Sequence, residues 1–272
     1  MASLSPQMRV AGEETALKED VVRLTSELES LRKKLHEARS QLGQQELASG
    51  RNERQLERYA TDLRETFKQE RARSQELRRS YMATVRALSN AVEARDAYTG
   101  KHAERVTAYG IEIAQALGIG SAELAELEFG FLLHDIGKLA IADAILFKPG
   151  PLTDEERALM ARHPLAGAEI VSGIEFLAQA AAVIRSHHER WDGLGYPDGL
   201  AGEEIPLAAR VFSVADVLDA LTTDRPYRPA SSFAATREMI SAQAGRQFDP
   251  QVVAAFNTIP DQAFVRIRTE IG

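Results

Sequence analysis

The chain has 272 residues, no cysteine, and 33 Lys+Arg against 40 Asp+Glu, for a net charge of −7. With 44 % apolar and 27 % charged residues it is a globular sequence, long enough for one large or two modest domains, and wholesale disorder is excluded. The cysteine count excludes a disulfide framework, Cys-ligated zinc and a thiol nucleophile. No stretch approaches the ~18 consecutive apolar residues of a membrane span. The opening MASLSPQMRVAGEE lacks the apolar core of a signal peptide, so a cytoplasmic location is expected.

Residues 1–90 hold 17 Lys+Arg and 14 Asp+Glu, a balance of +3, whereas 91–272 hold 16 and 26, a balance of −10. The first half contains only Pro6 of the 10 prolines. After an expected disordered tail over 1–12, apolar residues recur at steps of four and three: Leu17, Val21, Leu24, Leu28, Leu31, Leu35, Ala38 and Leu42. That heptad repeat predicts a coiled-coil helix over 13–88. Leu56, Tyr59, Leu63 and Leu77 continue the register, while Gln45, Ser49, Asn52, Glu70 and Arg73 interrupt its seam. A polar helix of this length does not stay folded alone, so a homodimer through the coil is expected. Mixed charge without a basic stripe argues against DNA as a partner.

Over 89–272 the expected elements are short helices. One spans His102–Leu117 and stops at Gly118; another follows Ser121, read as its cap, and carries Leu124, Leu127 and Phe131 into His134. Thr153 and Glu156 form a capping box ahead of His163. Pro206 opens an apolar helix through Leu221, and Asp249-Pro250 reads as a cap with a first-turn proline. No alternating run is long enough for a strand. The fold class is therefore all-α, a long N-terminal coiled-coil helix followed by a compact helical domain.

The second half also holds the series His102, His134-Asp135, His163, His187-His188 and Asp216. Several of these end or flank apolar helices, where imidazole and carboxylate are costly to bury without partners. Shared metal cations would supply them. On a helix, adjacent residues point about 100° apart, so the two adjacent pairs can address two neighbouring ions, and a carboxylate with two oxygens can bridge them. A metal pair of this kind suits phosphoester hydrolysis.

At these residues the sequence resembles a known family. His134-Asp135-Ile-Gly-Lys138 resembles the signature of the HD phosphohydrolase superfamily. The run His187-His188-Glu189-Arg-Trp-Asp192-Gly193-Leu-Gly195-Tyr196-Pro197 resembles the extended signature of its HD-GYP subfamily. Further blocks around His102-x-x-Arg105, Lys148, Glu156, His163, Asp216, Arg225 to Arg228 and Phe248 to Pro250 fall in the same order. The resemblance implies a metal-dependent phosphodiesterase that opens cyclic di-GMP to pGpG, sometimes to GMP. It puts His102, His134, Asp135, His163, His187, His188 and Asp216 on metal-ligand positions, with Asp135 bridging and catalytic. Lys138, Arg225 and Arg228 fall on phosphate-contacting positions, Lys138 counted with the catalytic residues, and Tyr196 lies in the loop near the substrate.

Asp219, one turn after Asp216, orients either the attacking water or a ligand, or supports a ligand from behind. Two divalent metal ions are implied, iron or manganese ahead of zinc or nickel. Some family members carry a glutamate where Tyr98 stands here, which in them takes a third ion. The 192–197 loop, by the same resemblance, is a contact for diguanylate cyclase domains. The alternatives are an HD hydrolase of another phosphorylated nucleotide and a catalytically weak module that senses cyclic di-GMP.

Overall fold

A computed structural model describes residues 6–95, 101–224 and 229–272. Eleven α-helices lie among them, with no strand and only two isolated bridges, Asp192 with Ala201 and Ala244 with Phe248. The all-α expectation holds. No helix among the described residues is long and apolar enough to cross a membrane.

The chain divides into two compact units, 1–76 and 77–272. Helix α1 (Pro6–Glu93) carries all the described residues of the first unit. The helix thus enters the 1–12 stretch expected to be disordered, of which 1–5 lie outside the described residues. Along the first unit Leu24, Leu28, Leu31, Leu35, Leu42, Leu56, Tyr59 and Leu63 are all at least half exposed.

The second unit begins at Leu77, earlier than the boundary expected at 88. The reason is packing. Val85 and Val92 in the last turns of α1 are buried against Leu132, Leu133 and Ile184, and Tyr81 stacks on Phe176 with ring centroids 4.1 Å apart. These residues have the spacing of a coil seam but serve the core of the helical domain.

Around them stand α2 (His102–Ala116), α3 (Ser121–Leu132), α4 (Asp143–Leu146), α5 (Asp154–Met160), α6 (His163–Ser172) and α7 (Ala178–Ser186). Then come α8 (Leu207–Thr222), α9 (Phe233–Ser241), α10 (Pro250–Thr258) and α11 (Asp261–Ile271). Val106, Tyr109 and Ile113 of α2 meet Phe212, Ala215 and Leu218 of α8 in the main core, closed by Phe256 and Phe264. The Thr153–Glu156 capping box is present, and Asp249 Oδ1 accepts the Gln251 N–H at 2.7 Å. Ser121 is not a cap. It is the first helical residue, behind Gly120 in extended conformation.

Candidate metal centre

His134 and Asp135 lie beyond the end of α3, in the turn that enters a short 3-10 segment, Ile136–Ala140. They are therefore not on a regular helix, and the turn, not the 100° step, sets their directions. Gly137 allows that turn to lie against the start of α6. A Cβ there would sit 1.8 Å from the His163 carbonyl oxygen, so only glycine fits. His163 opens α6, His187 follows α7, His102 opens α2, and Asp216 and Asp219 project from α8.

Three of the imidazoles are held by one device. Nδ1 of His134 meets the Phe131 carbonyl at 2.9 Å, Nδ1 of His163 the Met160 carbonyl at 2.9 Å, and Nδ1 of His187 the Ile184 carbonyl at 2.7 Å. A carbonyl only accepts, so each Nδ1 carries a hydrogen and donates it, and in the neutral ring each Nε2 is the lone pair. Nε2 of His163 and Nε2 of His187 then stand 3.2 Å apart. Two neutral rings so placed repel unless a proton or a metal cation lies between them.

His188 completes this group: one ring nitrogen from each of His163, His187 and His188 lies within 4.8 Å of the others. Its ring stacks on Tyr196 at 4.8 Å and 29°. Phe212, fully buried, backs His134 and His187 with centroids at 4.7 and 5.7 Å.

Asp135 joins two sets of donors. Its Oδ1 is 3.3 Å from His163 Nε2, and its Oδ2 is 3.1 Å from His134 Nε2 and 2.8 Å from Lys138 Nζ. Burial would raise its pKa, but His134 and Lys138 outweigh it and hold the carboxyl well below the usual range. Across the cleft His102 Nε2 lies 3.4 Å from Asp216 Oδ1, and its Nδ1 donates to Asp219 Oδ2 at 2.7 Å. Asp219 also accepts from Arg105 Nε at 2.7 Å and Nη2 at 3.0 Å. Burial opposes protonation of His102, yet Asp216 and Asp219 push its pKa up to about 10. Burial pushes His187 well below its ordinary value and His188 down to about 4, so both are neutral acceptors at pH 7.

The donor set fits divalent metal ions: five imidazoles, four of them with Nδ1 already bonded, and carboxylates facing them. His102, His134, Asp135, His163, His188 and Asp216 share one cleft of about 370 Å³ with Lys138, Tyr196 and Asp219. His187, buried, reaches the group from below through His163. Arg225, Arg228 and Tyr98 lie outside the described residues.

Three residues without an expected role support the site. Arg105, buried one turn after His102, holds Asp219. Glu189 accepts the backbone N–H groups of Asp198 at 2.7 Å and Gly199 at 3.1 Å, fixing the far side of the loop that carries Tyr196. Glu93 accepts the Ala103 N–H at 2.6 Å. A buried charge three residues from a candidate ligand was the available signal for Arg105. Glu93 had none, because its partner lies in a different helix.

An all-α domain gathered around histidines and aspartates at helix ends defines the class. Residues 86–252 match the HD domain family, and the chain belongs to it. It is 45 % identical over 174 residues to the cyclic di-GMP phosphodiesterase response regulator RpfG of Xanthomonas campestris pv. campestris, covering 63 % of this chain and 46 % of that protein. It is 39 % identical over 198 residues to the 3'3'-cGAMP-specific phosphodiesterase 2 of Vibrio cholerae, covering 72 % and 38 %. The chain thus spans less than half the length of either relative. The crystal structure of a cyclic GMP-AMP-specific phosphodiesterase of V. cholerae, V-cGAP3, shares the fold with a TM-score of 0.53 at 21 % identity, over 69 % of this chain and 53 % of that one. These matches agree with the HD-GYP resemblance.

Proposed function

We propose that this chain is a metal-dependent phosphodiesterase that hydrolyses cyclic di-GMP to pGpG. The observation that carries this is the facing Nε2 atoms of His163 and His187, 3.2 Å apart, with the Asp135 carboxylate 3.3 Å from that of His163. In this reading these residues would hold two divalent ions, iron or manganese ahead of zinc or nickel, with Asp135 shared between them. His163, His187 and His188 face its Oδ1 side, and His102, His134 and Asp216 serve the other. Bound there, such ions activate a water for attack on phosphorus and neutralise the leaving oxygen.

The chain's own residues do the rest. Lys138, bonded to Asp135 and lining the cleft, offers a fixed positive charge to a phosphate oxygen. Arg225 and Arg228 are proposed to hold the substrate's phosphates. Tyr196, whose ring lies against His188, bounds the substrate side of the cleft. Asp219 holds His102 and is proposed as a positioning group, not a proton carrier.

The exposed leucine seam of the first unit supports a homodimer through the coil. Leu194, exposed at the tip of the 192–197 loop, supports contact with a diguanylate cyclase domain.

Incubating manganese- or iron-loaded protein with cyclic di-GMP, 3'3'-cGAMP and simple phosphomonoesters, followed by chromatography, tests the reading. Appearance of pGpG from cyclic di-GMP supports it; loaded protein that leaves cyclic di-GMP intact overturns it. The similarity to a 3'3'-cGAMP-specific phosphodiesterase favours 3'3'-cGAMP as the second substrate to examine.

A further inference from the structure

The last turn of α1 touches both segments that present the candidate ligands. Ser89 Oγ, buried, donates to the Leu132 carbonyl at 2.8 Å, two residues before His134. One turn further on, Glu93 Oε1 accepts the Ala103 N–H at 2.6 Å, immediately after His102. Ser89 and Glu93 are four residues apart and so share a helix face.

The Ala103 N–H belongs to the first turn of α2, where N–H groups have no partner inside the helix. Lys101, the residue at the cap position, makes no side-chain cap bond there. A carboxylate from another helix fills that role and matches the positive end of α2. Ser89, Glu93, His102, His134, Asp135 and Lys138 also border one small cavity of about 10 Å³, so the anchors stand directly behind the donors. Val85 and Val92 bury the same stretch of α1.

We propose that Glu93 and Ser89 are positioning residues for the metal centre. Glu93 fixes the first turn of α2 and with it His102. Ser89 fixes the end of α3 and with it His134 and Asp135. Neither residue is among those lining the cleft. Ligand placement to about 0.5 Å is what such a site requires, and one turn of α1 supplies it to both sides. This inference rests on the metal-centre reading above.

Calorimetric titration of the full chain with Mn²⁺, beside thermal melts, tests it. Glu93→Ala should weaken Mn²⁺ binding about 10–100-fold, the usual effect of losing a group that orients a ligand. Ser89→Ala should weaken it about three- to tenfold. Glu93→Gln keeps an oxygen to accept the Ala103 N–H and should stay within about threefold of wild type. Unchanged Mn²⁺ affinity in both alanine variants, with only a lower melting temperature, overturns the positioning role and leaves the metal centre standing. A glutamine variant as weak as the alanine one also overturns it. Wild-type protein that binds no Mn²⁺ overturns the metal reading and this inference together. If Glu93→Ala does not fold, the glutamine and serine variants decide.

Discussion

Replacing Asp219 by asparagine removes the charge that faces His102 and Arg105 while keeping the side chain's size. The carboxylate is 2 % exposed, and its two oxygens take the His102 Nδ1–H at 2.7 Å and the Arg105 fork at 2.7 and 3.0 Å. Breaking a buried pair from one side costs about 3–5 kcal/mol, since the remaining charge stays buried. The amide keeps one acceptor for Arg105, which puts the loss near ~3 kcal/mol. At about 2–4 °C per kcal/mol for a domain of this size, the melting temperature should fall by roughly 6–12 °C. His102 would also lose the partner that orients it, so Mn²⁺ affinity should drop about 10–100-fold. Melts of metal-free protein and Mn²⁺ titration read the two effects separately. The double substitution Arg105→Leu with Asp219→Leu should restore much of the stability, because a packed apolar pair replaces a buried ion pair at little cost. It should not restore metal affinity. Asp219→Asn with wild-type Mn²⁺ affinity would refute the orienting role. If turnover were lost at that unchanged affinity, Asp219 would return to the chemistry itself.

Asp135→Ala should abolish hydrolysis and lower bound metal on elemental analysis, because one carboxylate faces donors on both sides; full metal content with near-normal turnover removes the bridge. In the metal-free protein the raised pKa of His102, about 10, contributes stability that is complete below its ordinary value of 6.5 and lost as pH rises through about 10. Metal must displace that proton, so Mn²⁺ titration at pH 7.5 in buffers of different ionisation enthalpy should show about one proton released by His102, with affinity rising with pH; no release would contradict the geometry. Light scattering should find the full chain dimeric and a chain starting at Leu77 less associated; a monomeric full chain removes the coil dimer.

Which of these features the residues announced beforehand follows from how local each signal is. The His/Asp series and the capping box at Thr153 depend on neighbours in sequence, and they were readable. The end of the coil was not. The in-phase apolar positions end at Leu77, and Tyr81, Val85 and Val92 beyond it serve the core of the helical domain, a contact that helical spacing alone does not announce. Asp219 was open among several roles because its meaning depends on Arg105, 114 residues away in sequence. Glu93 and Ser89 act through backbone groups of other helices, which carry no side-chain signature at all.

The layout of the histidines explains why Asp219 and Arg105 are needed. An α-helix ends with carbonyls that have no partner inside it. His134, His163 and His187 each follow a helix and spend their Nδ1–H on a carbonyl of its last turn, in α3, α5 and α7. That fixes the tautomer and the ring without any additional residue. His102 opens α2, where the orphan groups are N–H donors, and its Nδ1 meets a side chain instead. A carboxylate from α8 takes the place of the carbonyl, and Arg105 keeps that carboxylate ionised and in position. The substitution has a consequence. A carbonyl partner leaves His187 neutral in its buried site, whereas the anionic partners of His102 hold a proton on it until a metal displaces it. A metal bound at His102 would have to displace that proton, whereas His187 and His188 are already neutral at pH 7.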